Sequence, residues 1–142
     1  MNTDGDYLMN LFIINTNLQK DKRYEQEMLS EKKCAAYRST KFEIENIKTK
    51  DLVLIYTNQK GIVERGIASG VVLSQEDNGE TNAEYFMPLD DFYIFIKPIP
   101  YDKLRDILSS CDPNEMRPLN KTSLKFKEGI SQAIWDKVCM YV

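Results

Sequence analysis

The stretch from Lys50 to Leu73 constrains this chain more than any other. Leu52-Val-Leu-Ile-Tyr56 is an apolar run of strand length. Thr57-Asn58-Gln59-Lys60-Gly61 has turn chemistry, and Ile62 to Leu73 returns with valine, isoleucine and leucine in short runs. The pattern predicts a β-hairpin whose loop is longer than two residues. A hairpin this apolar has to be covered on both faces. Gly61, Gly66 and Gly70 recur on the returning arm. Glycine inside a strand pattern marks a bulge, a barrel corner, or a place where another backbone or a ligand comes close.

The 142 residues predict one domain with one hydrophobic core. No apolar run reaches the roughly 18 residues that a membrane helix needs, so no membrane partner is expected. Met1 to Asp6 is polar and acidic, unlike a secretory signal. Cys34, Cys111 and Cys139 are an odd, scattered set. They predict reduced thiols in a cytoplasmic protein rather than a disulfide framework. The chain contains no histidine. That excludes the Ser-His-Asp and Cys-His constellations, most zinc sites and histidine acid–base chemistry. Any catalysis would fall to carboxylates, lysine, tyrosine or arginine, and neither metal nor cofactor is expected.

The net charge of −3 is unevenly spread: residues 20–50 and 116–142 each carry +3, and residues 51–115 carry −7. If the two basic segments meet in space, one face could take a polyanion. The plain alternative is solvated charge on helix surfaces.

Around the hairpin, Tyr7 to Asn15 reads as a strand ended by Asn15-Thr16-Asn17. Residues 21–33 read as an amphipathic helix burying Tyr24 and Met28. Cys34 to Arg38 interrupts, and Thr40-Lys-Phe-Glu43 fits a capping box opening a second short helix over 41–48. Residues 75–82 read as a loop. Two aromatic strands follow at 84–89 and 91–97, the first broken by Pro88. Residues 101–109 form a helix, 116–126 an extended segment, and about 128–139 a closing helix with Ile130, Ile134 and Val138 on its core face. The order lacks βαβ alternation, which predicts an α+β domain with a curved, largely antiparallel sheet or small barrel flanked by short helices. The closing helix, with Trp135, and the helices of 21–48 are the expected cover for the hairpin.

Several stations together resemble the EVE domain and its relatives in the PUA-like superfamily. They are Lys50-Asp51 before the strand Leu52 to Ile55, Tyr56-Thr57-Asn58 after it, and Gly61-Ile-Val-Glu-Arg-Gly66-Ile-Ala68 returning. Ala36-Tyr37-Arg38 stands where EVE domains carry an Asn-Tyr-Gln-type segment. Ile94 to Ile99 leading into the helix at Leu104, and Met116 to Lys121 leading toward Trp135, match further steps. The resemblance covers most of the chain. Lys50 stands in place of the usual glycine, Thr57-Asn58 in place of His-Ser, and Ala36 in place of a ligand-contacting asparagine.

What the resemblance implies is a PUA-like pseudo-barrel with a nucleobase pocket, similar to that of the related YTH domains. Such a reader holds a flipped-out or single-stranded base, often a modified one, in DNA or RNA. Stacking contributes roughly 1–3 kcal/mol per base and extruding a base costs a few kcal/mol, so phosphate contacts must supply the rest. Candidate nucleobase contacts are Tyr37, Tyr56, Asn15 and Asn17. Candidate phosphate contacts are Arg38, Arg65, Arg117 and Lys121. Each has a plainer alternative: core packing for Tyr37 and Tyr56, turn chemistry for the asparagines, surface charge for the basic residues. Glu64 and Arg65 are adjacent on a strand and face opposite sides, and Trp135 reads as core. The expected role is binding rather than catalysis, with a nuclease or defence-system protein as partner. Two other readings stand beside it: a small nucleotide-binding regulator, and a metal-independent ribonuclease like the ASCH relatives.

Overall fold

The computed structural model describes residues 9–141; Met1 to Asp6, and the first two residues of the strand expected from Tyr7, lie outside the described residues. The elements are β1 (Leu11–Asn15), α1 (Lys22–Ser30), β2 (Lys33–Tyr37), a 3-10 segment (Arg38–Asn46), β3 (Leu52–Thr57), β4 (Gly61–Ala68), β5 (Leu73–Asp77), β6 (Glu80–Ile99), α2 (Tyr101–Cys111), β7 (Ser123–Phe126) and α3 (Glu128–Val138). The strands form one sheet in the order β2-β6-β4-β3-β1-β7, with β5 also on β6. β1 and β3 run parallel; the other pairings are antiparallel. The result is the α+β pseudo-barrel, mostly antiparallel and flanked by short helices, that the element order predicts.

The central strands are buried on both faces because successive side chains point to opposite sides. Leu11, Ile13, Leu52, Leu54 and Tyr56 pack with Leu104 and Leu108 of α2 and Ile134 and Val138 of α3. Phe12, Ile14, Val53 and Ile55 face the barrel interior with Tyr24 and Met28 of α1, the β2 side chains and Ile44. Over β3 and β4 the hairpin has the two-sided cover its composition demands, but the returning strand expected to run to Leu73 ends at Ala68, and Val71, Val72 and Leu73 are exposed. Trp135 is a partly buried member of the helix-side core. Among the described residues, no helix is long and apolar enough to cross a membrane.

Four local expectations are corrected. Cys34 to Tyr37 does not interrupt: it is the buried strand β2, whose small Cys-Ala-Ala side chains fit the tight barrel interior. Residues 75–82 are a hairpin rather than a loop; Asn78 and Gly79 turn it with φ of 50° and 82°, as a tight two-residue turn requires. Pro88 does not break the strand, since the 20-residue β6 continues through it; its first part pairs with β2 and β5 and its second part with β4. The expected helix at 41–48 is a 3-10 segment over Arg38–Asn46. The Thr40 hydroxyl donates back to the Tyr37 carbonyl at 3.1 Å instead of capping a helix.

Gly61 explains how the hairpin meets α2. Its φ is +108°, and a Cβ there would lie 1.9 Å from the Ile99 carbonyl oxygen. Only glycine lets the end of β6 cross so close to the β3–β4 turn.

Candidate functional site

The parallel pairing of β1 and β3 puts both carboxyl ends on the same side of the sheet, with Asn15 beside Tyr56. A cavity of about 330 Å3 opens there. One wall is the turn after β1, which the chain builds from its own amides. Asn15 Oδ1 accepts from the Asn17 backbone N–H at 2.8 Å, and Asn17 holds φ of 55°, a conformation asparagine tolerates. The Asn17 carbonyl then accepts from Lys20 and Asp21, carrying the chain into α1. Leu18, Gln19 and Lys20 complete this wall.

The second wall comes from β3 and the turn after it. Tyr56 is 4% exposed and lines the cavity together with Asn58. Behind them, Thr16 and Thr57 share a hydroxyl–hydroxyl bond of 3.0 Å, which ties the two strand ends together. The third wall is Leu119-Asn120. Asn15 holds it in place by donating from Nδ2 to the Leu119 carbonyl at 3.1 Å, while the Asn15 backbone N–H donates to Thr122. Tyr101, the first residue of α2, closes the cavity from the rim and is half exposed. Gly61 brings it there, because Ile99 and Pro100 rest against that glycine.

The electrostatics of the cavity are simple. Its lining contains four asparagines, one glutamine, two tyrosines, two leucines and one lysine, with no carboxylate and no thiol. Burial, then the neighbouring Tyr101, pushes the Tyr56 hydroxyl above its ordinary range, so it stays a neutral hydrogen-bonding group. Such a lining donates and accepts hydrogen bonds and offers aromatic faces.

The cavity gathers Asn15, Asn17 and Tyr56 of the expected nucleobase contacts. It does not gather Tyr37. That ring lies in the barrel interior, stacked on Tyr24 at 3.5 Å between centroids and 6% exposed. The expected phosphate contacts also disperse. Arg38 is held by Asp77 and the Tyr24 hydroxyl, Asp77 being the main cause of its raised pKa. Arg117 forms a two-pronged pair with Glu115, closest at 2.7 Å. Arg65 lies on the helix-side face, its guanidinium carbon 4.7 Å from the Tyr93 ring centre and 5.7 Å from that of Trp135. In each case a carboxylate or an aromatic ring lies beside the guanidinium. Lys121 is exposed next to Asn120, and among the described residues no carboxylate pairs with it.

Sequence reasoning missed Tyr101, Asn58, Asn120, Gln19 and Lys20. Asn58 lay within the hairpin motif and Asn120 within the C-terminal basic segment, so both carried a positional signal. Tyr101 carried none beyond the preceding Pro-Ile-Pro. The two basic segments do meet: Thr122 donates to Thr40 at 3.2 Å, and Ser123 donates to Glu43.

No protein-family model matches the chain, and no curated protein matches it. Solved structures do match in fold. The YTH domain of Mmi1, in complex with RNA, aligns with a TM-score of 0.56 over 94% of this chain and 79% of that one, at 7% identity. A hypothetical protein from Leishmania major aligns with a TM-score of 0.55 over 91% of this chain and 94% of that one, at 8% identity. A Pseudomonas syringae protein aligns with a TM-score of 0.55 over 92% and 97%, also at 8% identity. At these identities the likeness is one of fold: the chain has a pseudo-barrel similar to that of the YTH domain.

Proposed function

We propose that this chain is a non-enzymatic reader of single-stranded nucleic acid that takes one nucleobase into the cavity between Asn15, Tyr56, Tyr101 and Asn120. The observation that carries the reading is the lining itself: five carboxamides and two tyrosines in one cavity without a carboxylate. A carboxamide donates and accepts at once, which matches the mixed donor–acceptor edge of a base. Tyrosine supplies the stacking surface, worth roughly 1–3 kcal/mol per base. At about 330 Å3 the cavity falls at the small end of ligand pockets, suited to a single nucleoside rather than a duplex. Lys20 on the wall and Lys121 beside Asn120 supply phosphate contacts.

RNA is the polymer we assign first, because the YTH domain of like fold was solved in complex with RNA. A methylated base is the preferred ligand: Leu18 and Leu119 give an alkyl substituent apolar surface beside the amides. We place the chain nearest the EVE domains within the superfamily. Buried Asp51 supports this, accepting from the Asn10 and Lys48 backbone N–H groups at the mouth of β3. So does Lys50, which holds φ of 71° where EVE domains carry glycine.

The test is equilibrium binding of labelled oligonucleotides, plain against base-methylated, across a salt series. A reader loses affinity as salt rises and keeps its preference for the modified base. Tight binding of a mononucleotide with no binding of any oligonucleotide would replace this reading with a nucleotide-binding regulator. Strand cleavage would replace it with a nuclease.

A further inference from the structure

A strand that places one base in the cavity has to leave it across the surrounding surface. We infer that Phe42 is a second base-stacking site for that strand, reached across Lys121 and the 3-10 segment; the inference rests on the reading of the cavity given above.

Phe42 is 55% exposed and has no polar group that would account for the exposure. Its ring is nonetheless held in place. Tyr85 meets it at 5.2 Å between centroids with 78° between planes. Lys41 Nζ lies 5.2 Å from the Phe42 centroid and 5.0 Å from that of Tyr85, and donates to the Asn82 carbonyl at 2.6 Å. An ordered, exposed aromatic ring beside a lysine is the unit from which single-strand binders are built: stacking for the base, charge for the phosphate.

Its position relative to the cavity follows from two contacts. Asn120 is in the cavity wall, and Thr122, two residues on, donates to Thr40, two residues before Phe42. With consecutive Cα atoms about 3.8 Å apart, that path keeps Phe42 within roughly 20 Å of the wall. Single-strand sites of about 4–16 nucleotides per domain span such distances. The path itself carries lysine: Lys121 is exposed with no carboxylate partner among the described residues, and Lys41 adjoins Phe42. Glu43, the nearest acid on this path, accepts from Ser123 and keeps its charge, which Lys41 and Lys121 on the same path outnumber. The charge complements a phosphate backbone, which selects a nucleic-acid strand as the occupant.

The experiment measures fluorescence anisotropy of labelled single-stranded RNA, from one to ten nucleotides, on the full chain and on Phe42→Ala, Phe42→Leu and Tyr101→Ala. Phe42→Ala is expected to weaken decamer binding about tenfold and to leave the mononucleotide within twofold. Phe42→Leu keeps an apolar side chain without a ring and is expected to lose nearly as much, so it carries the test if the alanine variant fails to fold. Decamer affinity within twofold of wild type in both Phe42 variants would overturn the inference and leave the cavity reading intact. Loss in the Phe42 variants with none in Tyr101→Ala would overturn the cavity reading while keeping Phe42 as a strand contact. No binding of any RNA would overturn both.

Discussion

Asn15 and Tyr56 are directly paired residues at the carboxyl ends of two parallel strands, and both line the same cavity. Neither is free to move. The Asn15 amide is bonded on both sides, to Asn17 and to Leu119, and Tyr56 is packed into the helix-side core. They form the fixed floor of the site. The groups with room to engage a ligand are at its rim: Asn17, Asn58, Tyr101 and Asn120.

That division predicts two kinds of variant. Tyr101→Ala removes a half-exposed ring and is expected to weaken oligonucleotide binding by about 1–3 kcal/mol, while leaving the melting temperature nearly unchanged. Asn15→Ala breaks the tie to Leu119 and is expected to reduce both binding and stability, the latter by about 1–2 kcal/mol. Anisotropy and thermal melts on the same preparations separate the two effects.

Lys121 is predicted to act on phosphate alone. Lys121→Ala should weaken plain and methylated oligonucleotides equally and flatten the salt dependence by about one counterion. A change in base preference would instead place Lys121 against the base.

Glu64 makes folding depend on pH. It is fully buried in the barrel, neither carboxylate oxygen has a hydrogen-bond partner, and burial pushes its pKa from 4.5 up to about 9. Below pH 4.5 the folded and unfolded chains both hold this proton. Between there and pH 9 the unfolded chain releases it and the folded chain keeps it, so stability falls as pH rises, by up to about 1.4 kcal/mol per pH unit. Glu64→Gln has no proton to release. Urea denaturation between pH 5 and 9 should show a steep decline for wild type and a much shallower one for the variant.

Two backbone positions predict opposite outcomes. Gly61→Ala forces a side chain against the Ile99 carbonyl and is expected to cost more than about 2 kcal/mol, with weaker ligand binding because Tyr101 shifts. Lys50→Gly relieves a left-handed lysine and is expected to stabilise by about 0.5–1 kcal/mol. Chemical denaturation reads both.

The hairpin, its two-sided cover and the helices were legible because each rests on a local pattern: apolar runs for β3 and β4, helical spacing for α2 and α3. Strand β2 was not. Cys34-Ala35-Ala36 carries no β-branched signal, and it is a strand because it pairs with β6 in the buried sheet. The β5–β6 hairpin was missed because all of β5 except Asp77 is exposed, so it shows no apolar alternation. Asn15, Asn17 and Tyr56 were legible as residues at strand ends. Tyr101 and Asn120 were not, because the cavity is assembled from segments that only the sheet order and the Gly61 contact bring together. Tyr37 misled because its partner, Tyr24, comes from a helix 13 positions earlier, and nothing in the sequence announces that stack.

The most direct measurement is NMR of the side-chain amides of isotopically labelled protein during titration with a base-methylated single-stranded RNA. The account predicts that the NH2 resonances of Asn17, Asn58 and Asn120 shift or broaden, while that of Gln75, bonded to Glu84 on another face, stays still. Saturable RNA binding that leaves those three asparagine side chains unmoved would contradict it.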